Sequence, residues 1–191
     1  MGIEITVTDD LIGPHHARRV MQWLREFLFE DPRYPLWNHC LRAFAVALLP
    51  EIVVQGSVGL ILAAAGIDAT GWSGPERHVT AGDLLLSVMF APVVETALLG
   101  AGLGLLSRWT QNRLIIVTAS ALVWGGLHAT TGILRLLPAA WSFFVFSCSY
   151  LVWRKSSQRD AFVAAAVPHG LINLTAYAMI GLAEYVACVT C

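Results

Sequence analysis

Residues 84–106 read LLLSVMFAPVVETALLGAGLGLL. A membrane-spanning α-helix needs about 20 predominantly apolar residues, and this run supplies them. Only three of its side chains are polar, Ser87, Glu95 and Thr96. Glu95 carries the question. An ionisable group at bilayer depth is costly and normally faces the protein interior or a water-filled cavity. The stretch therefore predicts a helical membrane protein and marks where its chemistry should be sought.

The rest of the chain agrees with that class. Of 191 residues, 57% are hydrophobic and 13% charged, against about 25% charged in a typical soluble domain. The formal net charge of −1 argues against a nucleic-acid partner, which would require a basic face. The cysteines, Cys40, Cys148, Cys188 and Cys191, lack zinc-ligand spacing and read as packing residues. The ending Cys188-Val-Thr-Cys191 matches the letters of a prenylation box, but Cys is an unusual last residue, so the match reads as coincidence. Residues 1–14 include Glu4, Asp9 and Asp10 and no apolar core, so no cleavable signal peptide is expected.

Five spans are expected, near residues 41–66, 83–106, 114–130, 133–153 and 161–186. A short turn at Thr131-Gly132 joins the third to the fourth, and residues 67–82 form the longest loop. Ahead of them, ARRVMQWLREFLFEDP places Val20, Leu24, Phe27 and Leu28 on one helical face. It predicts an amphipathic helix, lying in the membrane interface or packed on the protein. The expected fold class is all-α: a polytopic bundle (41–187) preceded by an N-terminal cytoplasmic or interfacial segment (1–40). Lys and Arg divide ten to two between the two sides. The positive-inside rule then puts the N-terminus in the cytoplasm and the C-terminus outside. Trp37, Trp109 and Trp153 fall near the cytoplasmic ends, where an aromatic belt lies.

Polar residues within the spans form the candidate site. Glu95 is in the second, His128 in the third, and His169 with Asn173 in the fifth. His169 and Asn173 are four apart, as are Trp124 and His128, so each pair shares a helical face. Gly125, Gly126 and Gly170 permit close helix approach. Pro168 frees a backbone carbonyl. At ~1.5 Å per residue, Glu95 lies roughly 17 Å deep, His128 roughly 21 Å and His169 roughly 12 Å, so convergence requires tilt. A carboxylate and a histidine can hold a water and take its proton. A second histidine and an amide can donate to an oxyanion. The same Glu and two His could instead hold a divalent metal. Glu51 and Gln55 in the first span are further candidates.

These residues resemble the motifs of the CPBP intramembrane proteases, the CAAX-protease and bacteriocin-processing (Abi) family. Its motifs are Glu-Glu-x-x-x-Arg, often after Ala-Pro, then Phe-x-x-x-His, then His-x-x-x-Asn or Asp. Here APVVETALLG, WGGLH and HGLIN stand in that order, over residues 83–186. The resemblance implies an intramembrane endopeptidase acting on a membrane-associated protein or peptide, in the cytoplasmic membrane of a prokaryote. It implies that Glu95 and His128 activate a water and that His169 and Asn173 form the oxyanion hole; members of the family have been described both as metalloproteases and as glutamate proteases without a catalytic metal, and the metal-free reading is preferred. Three positions depart from the pattern: Thr96 replaces the second Glu, Gly100 the Arg, and Trp124 the Phe. If Glu and Arg form an ion pair in the family, losing both leaves no unpaired buried charge. The alternatives are an inactive member serving as an immunity or scaffold protein, and a small proton-coupled transporter using Glu51, Glu95 and the histidines.

Overall fold

The computed structural model describes residues 14–31, 34–68, 72 and 79–190. They form helices and no strands. The chain runs α1 (Pro14–Phe29), α2 (Leu36–Ala64), α3 (Ala81–Leu84), a π-helical turn (Leu85–Phe90), α4 (Ala91–Trp109), α5 (Arg113–Ala129), a 3-10 turn (Ile133–Arg135), α6 (Leu136–Trp153) and α7 (Gln158–Thr190). Four segments are long and apolar enough to cross a membrane: Leu36–Ala64, Ala81–Trp109, Ile133–Trp153 and Gln158–Thr190. The protein is an all-α helical membrane protein.

Several boundaries differ from the sequence reading. The first span begins at Leu36, because Pro35 opens the helix and Pro50 is absorbed within it. That start falls inside the 1–40 segment assigned to the N-terminal region. α5 has 17 residues, about 26 Å at ~1.5 Å per residue, against a hydrocarbon core of about 30 Å. α7 has 33, so it overruns that core. Much of the loop at 67–82, together with Arg33, Arg77 and Cys191, lies outside the described residues.

Local chemistry sets the ends. Asn112 caps α5, its side chain accepting from the amides of Leu114 and Ile115. Gly66 ends α2 at φ 66°, a left-handed conformation that suits glycine. Pro50 cannot donate to the carbonyl four residues earlier. That carbonyl, on Val46, instead accepts from the Trp141 indole at 3.0 Å.

α6 is the central helix. It contacts α1, α2, α4, α5 and α7, and 67% of its most apolar stretch is buried, against 11–17% for the other three spans. Those outer helices expose Ile52, Leu60, Leu98 and Leu182, faces suited to lipid. α5 and α6 pack antiparallel. Ser147 donates to Ser120, and Gly125 lies so near α6 that a Cβ there would stand 2.7 Å from the Ala140 Cβ. Gly126 has no atom within 4 Å of its own Cβ position, so of that pair only Gly125 serves close approach.

The N-terminal helix packs on the protein through the last part of its length. Phe27 and Leu28 are buried, whereas Val20 and Met21 are exposed. Phe27 stacks on His39, whose ring meets the Trp153 edge. Arg113 donates to the Phe29 carbonyl and Lys155 to Asp31. Cys40 and Cys148 are buried packing residues, as expected; Cys188 is exposed, so that reading fails there.

Candidate functional site

The bundle brings three of the four candidate residues together. Glu95 Oε2 lies 3.7 Å from His169 Nε2 and 4.0 Å from His128 Nε2. Counted at ~1.5 Å per residue from the observed helix ends at Trp109, Arg113 and Gln158, Glu95, His128 and His169 lie roughly 21, 22 and 16 Å deep, so the mismatch narrows. His169 is 5% exposed, whereas the Glu95 and His128 side chains are 25% and 30% exposed. The cluster thus has one sealed member and two at its mouth.

Each imidazole has a defined setting. His128 Nδ1 lies 2.9 Å from the Trp124 carbonyl. A carbonyl only accepts, so Nδ1 carries a proton; in the neutral ring the lone pair of Nε2 then faces Glu95. The i, i+4 relation of Trp124 and His128 therefore does more than align two rings. The His169 ring stacks on Phe146 at 5.1 Å and meets Phe143 edge-on at 5.3 Å. Its Nδ1 is buried with no hydrogen-bond partner among the described residues, as is Glu95 Oε2. An orphaned acceptor costs less than an orphaned N–H, which favours the tautomer with its proton on Nε2, facing Glu95.

Phe143 was not singled out from sequence. It stacks on Trp124 at 4.5 Å and touches both histidine rings. Its signal was present in the run WSFFVF, where residues 143 and 146 share a helical face, but the partner of that face is set by packing.

Asn173 sits one turn beyond His169 on α7 and turns elsewhere. Its Nδ2 donates to the Ser87 carbonyl at 2.7 Å. Gly170 does permit close approach: a Cβ there would lie 2.9 Å from the Val88 carbonyl oxygen. Glu51 has its own partners, accepting from Ser142 at 3.2 Å and Gln55 at 3.0 Å.

The positions that depart from the resembled motif are accommodated. Thr96 is 2% exposed. At Gly100 a Cβ would come 2.5 Å from the Tyr150 hydroxyl, which donates to Gln158. A tyrosine from α6 occupies the space an arginine stem would need. Among the described residues, no group of three His, Cys, Asp or Glu is placed to hold a metal ion. Ligands sharing one tetrahedral zinc at ~2.0–2.2 Å would be roughly 3.3–3.5 Å apart, closer than the separations here.

Compared with known proteins, the chain matches no family model, no curated protein and no solved structure.

Proposed function

We propose that the protein is an intramembrane endopeptidase of the CPBP type, with Glu95 as general base. The observation that carries this reading is the Glu95 carboxylate oxygen, buried, without a hydrogen-bond partner among the described residues, and facing two imidazole Nε2 atoms at 3.7 and 4.0 Å. Glu95 Oε2 and His128 Nε2 are both acceptors. One water about 2.8 Å from each would donate a hydrogen to both and turn a lone pair outward. A peptide carbonyl carbon at that lone pair is attacked as Glu95 takes the proton. A C–O bond forms, and the carbonyl oxygen becomes an oxyanion that accepts from His169 Nε2–H. The C–N bond then breaks as the Glu95 proton passes to the leaving amine. No step runs through a metal.

The substrate is a membrane-associated protein or peptide, since the cluster lies within the apolar bundle. The N-terminus is cytoplasmic and the C-terminus external, from the ten-to-two Lys and Arg division. Glu51, held by Ser142 and Gln55, has no described contact with Glu95 or the histidines, which weakens a continuous proton path through all of them.

The test compares membrane-proteome termini by mass spectrometry in cells carrying the wild type and Glu95→Gln, followed by cleavage of the candidate substrate by purified protein in liposomes. Glu95→Gln should accumulate normally and lose activity by roughly 10²–10⁴-fold. Cleavage persisting in the purified variant sinks the assignment. Loss of wild-type activity to a chelator, restored by added zinc, would replace it with the metal alternative. No Glu95-dependent product at all would favour the non-enzymatic reading.

A further inference from the structure

We infer that Asn173 is a positioning residue, which locks the π-turn of the second span and so aims Glu95 at His169. This rests on the catalytic reading of the Glu95–His169 pair, but its geometry stands independently.

The helix from Ala81 to Trp109 is not uniform. Leu85–Phe90 forms a π-turn, whose i→i+5 pattern holds one more residue than an α-turn. At 3.6 residues per turn, one residue is about 100° of rotation. Everything downstream, Glu95 included, points about 100° away from where an unbroken α-helix would aim it. With that turn relaxed to α geometry, the carboxylate leaves the histidines.

Nothing in LLSVMF dictates so rare a turn. What holds it comes from α7 and from Pro92 just downstream. The Ser87 carbonyl accepts from Asn173 Nδ2 at 2.7 Å, and the Ser87 hydroxyl pairs with the Tyr177 hydroxyl at 2.9 Å. Pro92 has no N–H to give the Val88 carbonyl four residues before it, and that carbonyl lies against Gly170. Gly170, Asn173 and Tyr177 form one stripe of α7 at i, i+3 and i+7. His169 adjoins that stripe, so the helix that fixes the turn also carries the imidazole that Glu95 must meet. Asn173 makes no described contact with Glu95 or either histidine, and its amide is committed to a backbone carbonyl.

The test reads the site without needing turnover. The ¹⁵N chemical shifts of the His169 ring are measured at one pH in full-length protein, as wild type, Glu95→Gln, Asn173→Ala and the double variant. Glu95→Gln should displace the His169 signals in the wild-type background and leave them unmoved in the Asn173→Ala background. Pro92→Ala, which returns an N–H to Val88, should reproduce the loss although Pro92 bears no reactive group. It also carries the measurement if Asn173→Ala fails to accumulate. In a cleavage assay both variants should lose at least tenfold in kcat. A Glu95→Gln displacement that persists in Asn173→Ala or Pro92→Ala overturns the lock, whatever the protein cleaves. A displacement lost in both, with no cleavage by the wild type, upholds the lock and removes the protease reading.

Discussion

Gly170→Ala isolates the contact on which the site's alignment depends. The new Cβ would stand 2.9 Å from the Val88 carbonyl oxygen, about 0.5 Å inside the 3.4 Å at which ordinary contact begins. The obstacle is backbone, so the helices must part. Overpacking of this kind costs about 1–3 kcal/mol, while replacing glycine by alanine in a helix returns up to about 1 kcal/mol. Net destabilisation is then roughly 0–2 kcal/mol. Gly126→Ala is the control, because its Cβ meets nothing within 4 Å. The propensity gain cancels between the two alanines, so Gly170→Ala should unfold about 1–3 kcal/mol more readily than Gly126→Ala, measured by detergent-induced unfolding in mixed micelles. A 1 Å misplacement at an active site costs about 10²-fold, so a shift of about 0.5 Å should lower kcat about tenfold, with Gly126→Ala unaffected. Equal stability of the two variants, or undiminished turnover in Gly170→Ala, would refute the close approach and the alignment built on it.

Trp141→Phe should cost about 1–3 kcal/mol by leaving the Val46 carbonyl without a donor; Pro50→Ala restores a backbone donor, so the double variant should unfold at smaller cost in the same micelles. Gly100→Arg should lower membrane accumulation sharply, since a lone buried charge costs about 3–5 kcal/mol and Tyr150 fills the space. Combining it with Thr96→Glu and Tyr150→Ala should recover part of the yield. Asp31 is held below the usual carboxylate range chiefly by its hydrogen bond from Lys155, with Lys155 and Arg113 charge adding to it. A lowered carboxylate contributes fully above its unfolded value and loses that contribution as pH falls through the folded one. The tie between the segments that follow α1 and α6 should therefore persist at neutral pH, weaken with added salt, and release only in acid, as read by limited proteolysis of α1.

The site was partly legible in the chain. Glu95, His128 and His169 announce themselves because ionisable groups in apolar runs are few, and the structure brings those three together. Asn173 was equally visible, yet its hydrogen bond runs to Ser87; spacing along one helix says which residues share a face, not what that face meets. Phe143 and Tyr150 were hidden because apolar and aromatic residues inside a span are the expected background. Gly125 and Gly126 look interchangeable in WGGLH, and only packing tells the tight one from the open one.

By itself the sequence determined the membrane class, the succession of helices and the polar residues that must be sheltered, because burial in lipid depends on composition and length alone. The tertiary structure decided the rest. It made α6 the central helix, filled the Gly100 space with Tyr150, answered the Val46 carbonyl with Trp141 and inserted the π-turn that rotates Glu95 toward its histidines. Pro50 and Pro92 free carbonyls locally, but what answers those carbonyls is set by contacts between residues far apart in the chain.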